Sequence, residues 1–153
     1  MELSFSNELI IDCTVARVYE FLRNVENFSS WNYAVMTVEP TGDRKDTYRL
    51  TRDLVHSQEI ETITVIEART DQFLHLQAAG GRFDYESKYE LKTFENKTLL
   101  ANHVIMKPSG ASGILLKLLK GNIQREVNNN LHVLKTLMEE NGSTNIKAKE
   151  LLL

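Results

Sequence analysis

The chain has 153 residues, 42% of them apolar and 25% charged, with a formal net charge of −3. That length and balance suit one globular domain and exclude a disordered or fibrous chain. The slight acidity offers no broad basic field for a phosphate backbone, so nucleic acid is not an expected partner.

Met1 to Ile11 lacks the basic start and apolar core of a signal peptide, and no apolar run reaches the ~20 residues of a membrane span. The expectation is a cytoplasmic protein without stable membrane insertion. The only cysteine, Cys13, rules out an internal disulfide and fits a reducing compartment.

Leu3, Phe5 and Asn7 alternate with Ser4 and Ser6 ahead of Leu9-Ile10-Ile11, which predicts an opening strand with one face toward a core. Asp12 or Thr14 can cap a short amphipathic helix, whose Val15, Val18, Tyr19 and Leu22 fall at i, i+3, i+4 and i+7. Val25, Phe28 and Trp31, set among polar residues, predict a second short helix or turn.

Strands follow at Ala34 to Glu39, Thr47 to Val55, Gln58 to Arg69 and Gln72 to Ala79, the first closed by Pro40, Gly42 and Asp43. Gly80-Gly81 predicts a tight two-residue hairpin. Beyond it Phe83, Tyr85, Ser87, Tyr89 and Leu91 point one way, and Asp84, Glu86, Lys88, Glu90 and Lys92 the other. Glu95-Asn96-Lys97 makes a turn, and Thr98 to Lys107 is the last strand before Pro108 to Gly113 breaks the pattern.

From Ile114 to Glu140 apolar residues recur at helical spacing through Leu119, Ile123, Val127, Leu131, Leu134 and Met138, giving roughly 40 Å of helix. Gly121 is a candidate interruption and Gly142 a candidate stop. Residues 1–141 then form one domain and 142–153 a C-terminal tail, whose Leu151-Leu152-Leu153 end can fray, dock, or join a homodimer.

About seven antiparallel strands with one long helix to cover them define the α+β class. A sheet of that width twists and curls, and one helix leaves part of its concave face unfilled. The space is packed by large side chains or open to a ligand.

The opening strand running into Asp12-Cys13-Thr14-Val15-Ala16-Arg17-Val18-Tyr19-Glu20-Phe21-Leu22 resembles the START-like, or SRPBCC, superfamily, with its polyketide cyclase/dehydrase-like and lipid-transport-like branches. So do Glu26-Asn27-Phe28 leading to Trp31, and the closing Asn130-Leu131-His132-Val133-Leu134-Lys135. The resemblance implies a helix-grip fold, a sheet wrapped around the C-terminal helix with a cavity between them, two short helices following the first strand. It also implies binding or transport of a lipid-like or polyketide-like molecule, with a cyclase- or dehydratase-like enzyme or a protein-interaction module as alternatives. Fold likeness supports binding more than any named reaction.

Four histidines, His56, His75, His103 and His132, show no paired spacing for a metal, and neither metal nor cofactor is expected. His75 and His103 lie on strands and are the candidate acid or base groups, or else strand residues with ordinary hydrogen bonds. The expected ligand-binding residues are Phe83, Tyr85 and Tyr89 on the strand, unless the tyrosines only pack the sheet's end, and Ile123, Val127 and Asn130 on the helix, where Asn130 can instead satisfy a backbone group of the sheet. Trp31 is placed at the mouth, although it can equally anchor the short helices.

Arg52 shares parity with Leu50 and Leu54. An inward guanidinium there needs a carboxylate or an anionic ligand head group. A position at the rim is the alternative. Lys117, Lys120 and Arg125 give the long helix a basic side, read as a solvated face or as contact with an anionic membrane surface.

Overall fold

The computed structural model describes residues 2–107 and 112–151, with side chains described for 2–107 and 117–140. Its seven strands are β1 (Leu3–Ile11), β2 (Val35–Pro40), β3 (Thr47–Leu54), β4 (Ser57–Arg69), β5 (Phe73–Ala79), β6 (Asp84–Phe94) and β7 (Lys97–Lys107). They form one antiparallel sheet in the order β1-β7-β6-β5-β4-β3-β2. Helix α1 (Val15–Arg23) and a 3-10 helix (Val25–Ser30) connect β1 to β2, and the long helix α2 spans Ser112–Leu151.

Connecting β2 to β7 by hairpins builds a meander, and β1 closes it by pairing with β7 from Leu3 opposite Met106 to Ile11 opposite Thr98. The Glu95-Asn96 loop has φ of 48° and 66°, the double left-handed geometry of a two-residue hairpin whose twist matches its strands. The Gly80-Gly81 hairpin is longer than its sequence suggests. Four residues, 80 to 83, separate β5 from β6, and only Gly80 takes a positive φ, of 95°.

Gly81 has a different job. A Cβ there would come within 2.7 Å of Glu61 Cγ, so the absent side chain leaves room for Glu61.

Inward-facing residues of every strand meet α1 and α2 in the core. Ile11, Leu50, Ile63, Leu74 and Leu100 from the sheet join Val18 and Leu22 from α1, all essentially inaccessible to solvent. Helix α2 enters this core unevenly. Leu131, Leu134 and Met138 are buried, whereas Leu119, Ile123 and Val127, one to three turns earlier on the same stripe, are only half-buried. The helix is therefore sealed to the sheet at one end and stands off it at the other.

Two sets of hydrogen bonds fix that placement. Near the sealed end the backbone N–H of Asp12 donates to Glu139 Oε2 at 2.7 Å, and Lys135 Nζ donates to Glu139 Oε2 at 2.8 Å and to the Ile10 carbonyl at 2.6 Å. Farther along, Gln124 Nε2 donates to the Ser6 carbonyl at 3.3 Å.

Helix α2 passes through both Gly121 and Gly142. A glycine inside a helix costs about 1 kcal/mol relative to alanine, which weakens the helix without ending it. The expected break at Gly121 and stop at Gly142 are thus corrected. The Pro108 to Ala111 part of the preceding break and the Leu152-Leu153 end lie outside the described residues. Among the described residues no helix is long and apolar enough to cross a membrane.

Candidate functional site

Where α2 stands off the sheet there is a cavity of about 330 Å³, at the lower end of the range of small-molecule sites. Its sheet wall comes from the β6 alternation, which turns Tyr85, Ser87 and Tyr89 inward, with Phe83 from the end of the β5–β6 loop, Leu76 and Ala78 of β5 and Val104 and Met106 of β7 beside them. Leu119, Ile123, Val127 and Leu131 of α2 form the roof, and Phe28 and Trp31 close one end. The exposed lining residues Arg82, Asn122 and Glu126 mark the mouth, between the β5–β6 loop and the helix.

All eight residues expected to bind a ligand line this one space. For two of them the structure distinguishes between the alternative roles. Trp31 is buried in the wall rather than set at the mouth, at 3% exposure, with its ring edge-on to Phe28 (centroids 5.0 Å apart) and Tyr89 (6.3 Å). Asn130 is occupied by its own chain, since its Oδ1 accepts from the Tyr33 N–H at 3.1 Å and its Nδ2 donates to Asn32 Oδ1 at 3.4 Å. It ties the loop before β2 to the helix.

Arg52 points inward and finds a carboxylate from its own chain. Its Nε donates to Glu61 Oε2 at 3.0 Å, and a terminal nitrogen donates to the Tyr33 carbonyl at 3.0 Å. The anionic group that this guanidinium requires is thus supplied by β4.

Both candidate acid–base histidines lie on the other face of the sheet. His75 alternates with the buried Leu74 and Leu76, and its Nε2 contacts Glu86 Oε1 at 2.9 Å beside Lys107. His103 alternates with the buried Asn102 and Val104, and its Nδ1 contacts Ser6 Oγ at 2.6 Å. Neither imidazole lines the cavity. Among the described residues no cluster of His, Cys, Asp or Glu is gathered to hold a metal ion.

The walls are mainly apolar but carry specific polar atoms. Trp31 Nε1, Asn32 Nδ2, Glu61 Oε1 and Asn102 Oδ1 are buried without a hydrogen-bond partner, and all four residues line the cavity. Buried polar atoms are normally paired, so four orphans gathered on one cavity mark where a bound molecule finds partners. Two are N–H donors and two are oxygen acceptors. Asn102 is oriented by its own donors, from Nδ2 to Ser87 Oγ at 2.8 Å and to the Lys88 carbonyl at 3.2 Å, which leaves its oxygen without a partner.

The two tyrosine hydroxyls remain protonated. Burial, reinforced by the neighbouring Glu61 charge, pushes the Tyr85 phenol far above its usual range. Burial pushes Tyr89 up to about 12 against a smaller opposing effect of Ser87. Both are hydrogen-bonding groups and not bases at neutral pH.

Glu61, Asn32 and Asn102 escaped the sequence reading. Strand alternation from Ile63 back to Glu61 does place that carboxylate inward, but its pairing with Arg52 depends on the β3–β4 register.

A seven-stranded antiparallel sheet gripping a long C-terminal helix over a cavity is the helix-grip architecture. The chain matches the family described as "Polyketide cyclase / dehydrase and lipid transport" over residues 2–139, and belongs to it. Among solved structures it is similar to the Zhui aromatase/cyclase from Streptomyces sp. R1128, with TM-score 0.76 and 12% identity over 92% of this chain and 96% of that one. A conserved protein from Geobacillus kaustophilus gives TM-score 0.75 and 15% identity over 91% and 97%. A START superfamily protein from Mycobacterium smegmatis gives 0.69 and 14% over 90% and 97%. No curated protein matches the sequence significantly. Identities this low show a shared fold and leave the ligand to be argued from the cavity.

Proposed function

We propose that the protein binds a small amphipathic molecule, with ring or chain carbon against the aromatic walls and polar substituents at both donors and acceptors. The observation that carries this reading is the set of four orphaned polar atoms on one mainly apolar cavity. A purely apolar occupant would leave each of them unsatisfied, at about 1–3 kcal/mol apiece. A ligand bearing hydroxyl and carbonyl groups satisfies them.

Membership in a family of cyclases, dehydrases and lipid carriers agrees with an occupant of this kind. Binding is favoured over catalysis because the histidines on which an acid–base reaction was expected to depend point away from the cavity.

Trp31 is the only tryptophan and lies in the cavity wall, so its fluorescence reports occupancy directly. Titration with fatty acids, sterols and aromatic polyketides should give a saturable change at one site per chain for the aromatic, oxygenated class. A flat response to all three, together with no small molecule accompanying the purified protein in native mass spectrometry, would overturn the reading.

A further inference from the structure

We propose that Glu61 sets the class of ligand, selecting a neutral hydroxyl-bearing aromatic molecule over a carboxylate. The inference rests on the cavity being a binding site, and adds which end of the molecule the site recognises.

Glu61 carries one oxygen engaged by Arg52 and one free. Oε2 takes the guanidinium at 3.0 Å, while Oε1 is buried without a hydrogen-bond partner, in a residue that lines the cavity beside the Tyr85 hydroxyl. The whole residue is 4% exposed. Gly81 leaves the room in which the side chain lies, because a Cβ at that position would come within 2.7 Å of Glu61 Cγ. A buried carboxylate oxygen accepts strongly from an O–H and repels another carboxylate.

The guanidinium offsets that repulsion only in part, because two of its nitrogens are already engaged. Its Nε is committed to Glu61 and a terminal nitrogen to the Tyr33 carbonyl. Charged groups on the lining are Glu59, Glu61 and Glu126 against Arg52 and Arg82, three acids to two bases, so an incoming anion meets a net negative wall. Arg52, paired with Glu61 at 3.0 Å, also weakens the pull of that carboxylate on a cationic amine, which favours a neutral O–H as the donor. The aromatic rings of Phe28, Trp31, Phe83 and Tyr89 on the same cavity favour a flat ring over a flexible chain.

Three probes of one shape separate these effects: 2-naphthol, naphthalene and 2-naphthoate, titrated at pH 7 and followed by Trp31 fluorescence. Wild type should bind 2-naphthol about tenfold more tightly than naphthalene, the scale of one hydrogen bond to a charged group, and 2-naphthoate more weakly than either. E61Q keeps the shape but can turn an N–H₂ into the cavity and removes the partner charge of Arg52. Its preference for naphthol over naphthoate should fall at least tenfold, with naphthoate affinity rising.

Naphthoate binding wild type as tightly as naphthol overturns the proposal, as does an unchanged preference in a folded E61Q. If E61Q does not fold by circular dichroism, the wild-type ordering of the three probes decides alone. Failure of all three to move the tryptophan signal counts instead against the binding reading itself.

Discussion

Arg52 on β3 and Glu61 on β4 face each other diagonally, two positions out of direct register, since Arg52 pairs with Glu59 and Glu61 with Leu50. They share the inner face of the sheet, with side chains 19% and 5% exposed and their charges 3.0 Å apart. A pair so withdrawn from water gains little over well-packed apolar residues, but each member depends on the other. R52M should therefore destabilise the fold by about 3 kcal/mol, because it strands the Glu61 carboxylate. The double variant R52M/E61L should recover at least half of that loss. Urea denaturation of the wild type, both single variants and the double measures the coupling, and additive effects would show that the pair is not coupled.

Glu139 gives stability a defined pH dependence. Partial burial opposes its ionisation, but the Asp12 N–H and the Lys135 ammonium outweigh that and hold its pKa below the usual 4.5. A depressed folded pKa means that the stabilisation is complete above the unfolded value and disappears as pH falls through the folded one. Wild type should exceed E139Q by about 1 kcal/mol at pH 7, discounted for partial exposure. The gap should hold to about pH 5 and close at lower pH. Urea midpoints of both proteins between pH 7 and about pH 3 provide the check, and a gap that widens on acidification contradicts the assignment.

Much of this arrangement can be read in the residues. The β6 alternation identifies the cavity wall by itself, because tyrosines and phenylalanine occupy one parity and charges the other. Arg52 is legible by parity with Leu50 and Leu54. His75 follows the same rule, since Leu74, Leu76 and Ala78 claim the inner face and turn it outward. His103 is harder, because β7 has apolar residues on both faces, with Leu99, Ala101 and Ile105 sharing its parity. The Arg52–Glu61 pair requires the β3–β4 register, which no single strand encodes. The cavity itself depends on how far α2 rises from the sheet between Leu131 and Leu119, a tertiary distance that helical periodicity does not contain.

Ala34 is held in the left-handed region at φ 63° by bonds on both sides. The Tyr33 N–H donates to Asn130 and the Tyr33 carbonyl accepts from Arg52, while the Ala34 carbonyl accepts from the Asp53 N–H at 2.8 Å. Left-handed alanine costs about 1–2 kcal/mol. Glycine removes that strain at an unfolded-state entropy cost of roughly 0.4–1 kcal/mol. A34G should raise stability by about 0.5–1 kcal/mol, seen as a higher urea midpoint with an unchanged slope. A lower midpoint would show that the methyl group contributes packing that outweighs the strain.

The two ends of α2 should respond oppositely to the same enlargement. Ile123 is half-buried on the cavity and packs, like Phe83, against the cluster of Phe5, Val104 and Met106, whereas Leu131 is fully enclosed in the core. In I123W the added ring can enter the cavity and occupy the space of a ligand, with a stability change under about 1 kcal/mol. In L131W the same ring meets close-packed side chains and should cost about 3 kcal/mol. Binding follows the reverse order. I123W should lose at least about tenfold in affinity for any ligand that saturates the wild type, the effect expected when a probe competes with a covalently attached ring for one site. Because I123W adds a second indole, binding is measured by isothermal titration calorimetry rather than fluorescence, and unfolding by urea. Equal destabilisation by the two substitutions would mean that α2 is sealed along its whole stripe. Undiminished binding in I123W would place the ligand outside the space between Ile123 and β6.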